Sequence, residues 1–141
     1  MVEAHQPGQR SAFVEEIGAE VEEWIEGYVR MGLRVDERHM NAHGVMHGGV
    51  ATTIMDELTG ALIASIRGME VMFAAPHSTV DMSVSFIGGV SIGDDLIFEG
   101  RATRVGRSVA FAEAEVRKRG EDKLVAKGKF TYVIAQPRSA A

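Results

Sequence analysis

With 141 residues, 15.3 kDa, 45% hydrophobic and 25% charged side chains, the chain has the size and composition of one soluble globular domain with a single core. Twenty Asp+Glu against fifteen Lys+Arg leave a formal charge of −5, which argues against a nucleic-acid partner held by broad phosphate neutralisation. The absence of cysteine excludes disulfides, thiolate metal sites and thiol catalysis.

In chain order, residues 1–10 lack the apolar run of a signal peptide and read, like 136–141, as a flexible end flanking one domain over 11–135. Ser11 is placed to cap a short helix carrying Phe13 and Ile17. Ile17, Val21, Trp24 and Ile25 fit a helical stripe, yet Gly18 and Gly27 bracket a strand-length segment, so periodicity leaves both readings open. From Tyr28 to Val35, Val29, Met31, Leu33 and Val35 alternate with Tyr28, Arg30, Gly32 and Arg34 as in a half-buried strand. Asp36 to Gly49, with Gly44, Gly48 and Gly49, is loop-like.

Val50 to Ile66 is predicted as a helix with apolar or small residues on nearly every face, hence a buried one. Asp56 and Glu57 interrupt it, well short of the ~18 uncharged apolar residues of a spanning helix. No membrane partner and a cytoplasmic location are therefore expected. Four strands follow, over Thr79–Ile87, Leu96–Val105, Ser108–Arg117 and Leu124–Ile134. In the first, Val80, Met82, Val84 and Phe86 form one face, and Thr79, Asp81, Ser83 and Ser85 the other. Val105 to Ser108 reads as a hairpin loop, and short connections imply antiparallel pairing. One buried helix among such strands requires a sheet to cover it, which gives an α+β fold.

The strongest chemical feature is His47-Gly48-Gly49 followed, after six residues, by Asp56. Glycines at a helix start let a ligand approach backbone N–H groups that lack helical partners and sit at the positive end of the dipole. Such a place suits an oxyanion developing on a carbonyl. Asp56 on an apolar helix calls for explanation: it is catalytic, or it pairs with a neighbouring element, or it reaches the surface beside Glu57. His39, His43 and His47 recur every four residues, but Gly44 and Gly48 argue against the helix that would align them, so no metal site is expected. Arg104, Arg107 and Ser108 fit either a phosphate contact or a solvated turn. Met55, Met69, Met72 and Met82 read as core or tunnel wall.

The stretch from Asn41 through His47-Gly48-Gly49 to Asp56 resembles the signature of hotdog-fold acyl-CoA thioesterases of the phenylacetic-acid-degradation and 4-hydroxybenzoyl-CoA thioesterase type. Thr79 to Phe86 and Arg104 to Phe111 resemble that family's strand after the helix and its hairpin, so the likeness runs over roughly residues 17 to 134. It implies an antiparallel sheet wrapped around one long central helix, with a first strand after Gly18. It also implies hydrolysis of an acyl-CoA thioester to a free acid and coenzyme A. Gly48 N–H and the Asn41 amide would polarise the carbonyl, Asp56 would serve as general base or nucleophile, and Thr79 would orient water. His47 belongs to the same catalytic loop, which it would hold by hydrogen bonds. Gly49, Arg104, Arg107 and Ser108 would contact the coenzyme A part of the substrate, and no further cofactor is implied. Sites would form between subunits of a homodimer or of a tetramer of two dimers, and Met55, Leu58, Phe73 and Phe86 would shape the acyl tunnel. The alternative on the same fold is a non-catalytic acyl-CoA sensor.

Overall fold

The computed structural model describes residues 11–136; residues 1–10 and 137–141, which hold nearly all of the expected flexible ends, lie outside them. Ser11 accepts the Val14 N–H at 3.1 Å and so starts helix α1 (Ala12–Ile17). Val14 is the buried residue of α1 and Ile17 packs partly buried against the core, while Phe13 is 63% exposed. Gly18, at φ 89°, ends the helix in the left-handed region, and strand β1 (Glu20–Ile25) follows. That resolves the ambiguous segment in favour of the strand.

Strand β2 (Tyr28–Arg34) buries Val29, Met31 and Leu33, as their alternation requires. Helix α2 (Gly48–Arg67) begins two residues before the predicted start. A short helix, α3 (Met69–Ala74), interrupts the segment before β3 (His77–Phe86); it has no capping side chain and buries none of its residues, and its sequence carried no signal for it. Strands β4 (Asp95–Val105), β5 (Val109–Lys118) and β6 (Leu124–Ile134) complete an antiparallel sheet in the order β1-β2-β4-β5-β6-β3.

The sheet curls around α2, the architecture that the resemblance implies. Ala51, Ile54, Met55, Leu58, Leu62 and Ile63 form the helix's buried stripe, at spacings of three and four, against Phe98, Ala112, Ala114 and Phe130 of the sheet. Gly100 of β4 makes the close approach possible, since a Cβ there would collide with the Leu58 side chain. The helix is not enclosed on every side, however. Asp56, Glu57, Gly60 and Ala61 are half-buried and line a cleft on the opposite face. By length and composition α2 could cross a membrane, but its stripe packs on this chain's own sheet.

Two β-bulges re-aim side chains. In β3 the register shifts between Thr79 and Asp81, so Thr79 pairs with Tyr132 on the inner face and Met82 pairs with Phe130 on that same face. Strict alternation would have set Thr79 opposite to Met82. In β4 the shift between Ala102 and Arg104 sets Arg104 opposite Phe111, which is exposed on the outer face.

Leu58, fully buried against Gly100, tests the packing of helix on sheet. Leu58→Ala is expected to lower the unfolding free energy by about 2–5 kcal/mol. Denaturant unfolding measures it, and a loss near zero would contradict the close contact.

Candidate active site

The loop before α2 is held by histidine and asparagine side chains. His39, buried in the 3₁₀ turn Glu37–His39, accepts the Asp36 N–H on Nδ1 at 2.9 Å and donates from Nε2 to the Ile17 carbonyl at 2.6 Å. His47 caps α2, its Nδ1 accepting the Gly49 N–H at 2.9 Å. Two of the three regularly spaced histidines thus hold backbone, as read for His47, while His43 is exposed.

Asn41 Oδ1 accepts the N–H of His43 at 2.9 Å and of Val45 at 3.2 Å. With the carbonyl end of the amide committed, Nδ2 is the end left to donate to a ligand. The Gly49 N–H is taken by His47, so of the glycine pair it is Gly48 whose N–H has no partner among the described residues. A Cβ on Gly48 would stand 2.9 Å from the Phe86 ring, and one on Gly49 3.0 Å from His47, so both glycines lie in close side-chain contact. An apolar alcove of about 310 Å³, lined by Phe86, Val90 and Val125, opens beside Gly48. An unpartnered N–H beside an apolar alcove at a positive helix end makes a place for a polarised carbonyl oxygen.

Asp56 lies on the open face of α2, half-buried. Its Oδ1 accepts the Thr79 hydroxyl at 2.6 Å and the Tyr132 hydroxyl at 3.2 Å, while Oδ2 has no partner among the described residues. Thr79 spends its single proton on Asp56, so towards water it can only accept. The single Tyr132 proton is shared between Asp56 Oδ1 and the nearer Asp56 carbonyl, at 2.8 Å, and the phenol oxygen stands 2.7 Å from Thr59 Oγ1. Burial, first, and then the nearby Asp56 charge push the Tyr132 phenol above its ordinary range and keep it a proton donor. Sequence reasoning assigned Tyr132 no role. The available signal was a phenol in a buried strand position, which needs a polar partner.

Beyond Tyr132, Arg67 donates to His77 Nδ1 at 2.9 Å, and His77 Nε2 donates to the Gly60 carbonyl at 2.9 Å. The His77 ring meets Tyr132 edge-on at 5.4 Å. Burial is the main reason the His77 pKa falls below its ordinary 6.5, and the Arg67 charge adds to it.

The structure brings Asp56 together with Thr79, and His47 with Gly48 and Gly49, and keeps these two groups apart. Gly48 and Asp56 are eight residues apart on one helix, about 12 Å along its axis. Arg104, Arg107 and Ser108 are exposed around the β4–β5 hairpin, at the end of the sheet away from Gly48, and none lines the cleft beside Asp56. Gln136, expected in a loose tail, donates to the Arg107 carbonyl at 3.3 Å and the Ile134 carbonyl at 3.1 Å. Met55 and Leu58 are fully buried in the core, the first of the two readings for Met55, and do not line the cleft, whereas Phe73, Met69 and Met72 do.

Residues 43–125 match the thioesterase superfamily. The chain is 31% identical over 106 residues to human acyl-coenzyme A thioesterase 13, covering 74% of this chain and 71% of the relative. Among solved structures, a conserved protein of Pseudomonas aeruginosa superposes with a TM-score of 0.80 at 30% identity, covering 89% of this chain and 94% of that one. Zebrafish thioesterase superfamily member 2 superposes with a TM-score of 0.76 at 28% identity, covering 86% and 83%.

The depressed His77 pKa has a consequence for folding. As pH falls below about 6.5, the unfolded chain binds a proton that the folded ring resists, so stability present above that pH is progressively lost. His77→Gln is expected to weaken this acid-side loss. Denaturant midpoints compared at about pH 7.5 and about pH 5.5 measure it, and an unchanged difference would remove His77 as its source.

Proposed function

We propose that this chain, which belongs to the thioesterase superfamily and is a thioester hydrolase, cleaves acyl-coenzyme A esters in a site shared between two copies of itself. The observation that carries the reading is the split between two complementary halves: free donors at Gly48 and Asn41, and an oriented carboxylate at Asp56. The relative named for acyl-coenzyme A esters supports the substrate class.

In this mechanism the thioester carbonyl oxygen sits between Gly48 N–H and Asn41 Nδ2, which stabilise the negative charge that grows there as the carbon becomes tetrahedral. Asp56 acts through Oδ2, the oxygen left free by the bonds to Thr79 and Tyr132. As a base, Oδ2 takes a proton from water while the water oxygen bonds to the carbonyl carbon. Collapse breaks the carbon–sulfur bond, and the proton passes to the departing sulfur, giving free acid and coenzyme A. As a nucleophile, Oδ2 bonds to the carbonyl carbon itself, expels the thiolate and leaves an anhydride for water to open. Single-turnover hydrolysis in oxygen-isotope-labelled water separates the two, since label recovered in Asp56 identifies the nucleophile.

Two halves about 12 Å apart on one rigid helix cannot serve one carbonyl, so a second chain supplies the other half. The unpaired edge of β3, with Met82 and Phe86 exposed on its inner face, supports an edge-to-edge dimer, and two dimers could stack into a tetramer. Arg107, exposed in the hairpin, is assigned to the coenzyme A phosphates together with Arg104 and Ser108, and Gly49 to the substrate's path at the start of α2.

Asp56→Asn is expected to lower kcat at least about 10²-fold with little change in KM, read by release of free thiol from a panel of coenzyme A esters. Asn41→Ala, which removes one oxyanion donor, is expected to cost about 10²–10³-fold. Mixing these two inactive proteins under subunit exchange restores activity if the site is shared, because one of the two sites is then wholly native. Failure to recover activity in demonstrably mixed dimers would overturn the shared site. Tyr132→Phe removes a hydrogen bond shared between the Asp56 carboxylate and the Asp56 carbonyl, worth about 0.5–1.5 kcal/mol, and is expected to lower kcat about 2- to 10-fold at constant KM. An altered KM alone would reduce Tyr132 to packing.

A further inference from the structure

The cleft beside Asp56 has a volume of about 440 Å³ and follows the uncovered face of α2. Ala64, its far point on the helix, lies eight residues beyond Asp56, about 12 Å along the axis. Between them α2 presents Gly60 and Ala61, whose small side chains leave a groove. The outer wall comes from Trp24 of β1 and from Met72 and Phe73 of α3. Because α3 starts directly after Gly68, its part of the wall stands at the end of the groove remote from Asp56, while Trp24 stands over Ala61 partway along.

We infer that this cleft is the acyl chamber and that it selects uncharged, apolar acyl groups longer than acetyl, with Trp24, Met72 and Phe73 setting the length accepted. The inference rests on the thioesterase reading proposed above. The lining is of the kind that gains from apolar burial, at about four-fold in affinity for each methylene taken from water. An acetyl group held at Asp56 does not reach the wall built by α3. The ionisable groups that line the cleft are Asp56, Glu57, His77 and Tyr132, with no Lys or Arg among the described residues there. An acyl group ending in its own carboxylate would lose water next to two acids with no lining cation to offset the charge. His77 offers none, since one ring nitrogen accepts from Arg67 and the other donates to Gly60.

The same wall explains why a range of lengths fits. No residue of α3 is fully buried, and unbranched methionine side chains adapt to different shapes. Trp24 is held more firmly, its Nε1–H donating to the Ala61 carbonyl at 3.0 Å. It therefore forms the fixed side of the chamber, against which the α3 residues can move.

Trp24 is the only tryptophan of the chain, so its fluorescence reports occupancy of the cleft without turnover. The full chain is titrated with octyl-coenzyme A, a thioether that cannot be hydrolysed, against ethyl-coenzyme A and coenzyme A alone. Octyl-coenzyme A is expected to change the emission and to bind at least about 10-fold more tightly than the ethyl compound; equal affinities overturn the inference. In turnover, kcat/KM for octanoyl-coenzyme A should exceed those for acetyl- and succinyl-coenzyme A at least about 10-fold. Phe73→Ala and Met72→Ala, both in the lightly buried α3, should each reduce the octanoyl-to-acetyl ratio several-fold, and an unchanged ratio in both removes α3 as the determinant. Tight octyl-coenzyme A binding with no ester hydrolysed would sink the proposed activity and leave the chamber standing. Equal hydrolysis of acetyl and octanoyl esters would do the reverse.

Discussion

A carboxylate on the core helix, pinned through one oxygen by two hydroxyls from the sheet, is the interaction on which the proposed site depends. Asp56 Oδ1 receives Thr79 and Tyr132, which face each other across β3 and β6. The pairing of those two strands thus sets the orientation of a side chain that belongs to neither. A register slip of one residue would turn one of the two hydroxyls to the outer face and leave the carboxylate with a single donor. Burial keeps the Tyr132 phenol protonated, so the donor side of this arrangement persists wherever Asp56 is ionised.

The rigidity of α2 has a second effect. One helix carries both the unpartnered N–H at Gly48 and the carboxylate at Asp56, and its fixed rise keeps them too far apart to share a substrate atom. Chemistry at a single carbonyl then calls for a second chain, and assembly becomes part of the proposed catalysis. The same helix divides its surface by side-chain size. The large residues Ile54, Leu58 and Leu62 face the sheet, whereas Gly60 and Ala61 line the cleft. One element thereby supplies the core, half of each proposed site and the floor of the proposed acyl chamber.

Most elements were legible because their periodicity is strong. The alternation in β2, β5 and β6 identifies the buried face of each, and the glycines at 18 and 27 bracket a true strand. The site was less legible. Thr79 sits one residue before a bulge, and a bulge breaks the two-residue period on which the facing of β3 was judged. Tyr132 looks in sequence like any core aromatic. Met55 and Leu58 share their chemistry with the wall residues Met72 and Phe73, and only packing separates the two groups. Helix α3 has neither cap nor buried face to announce it.

The sequence by itself determined the class of fold and the central helix and singled out Gly48 and Asp56, because local spacing and residue chemistry suffice to mark a helix start and an acid on one face; Asn41 entered through the family resemblance. Tertiary structure decided what those residues touch. It committed the Gly49 N–H to His47, gave Asp56 its hydroxyl partners, turned Arg104 to the outer face and left one side of α2 open. These outcomes follow from contacts between residues distant in the chain, and from two bulges that shift register. No pattern within a short stretch of sequence encodes them, since each depends on which strand lies alongside and in what register.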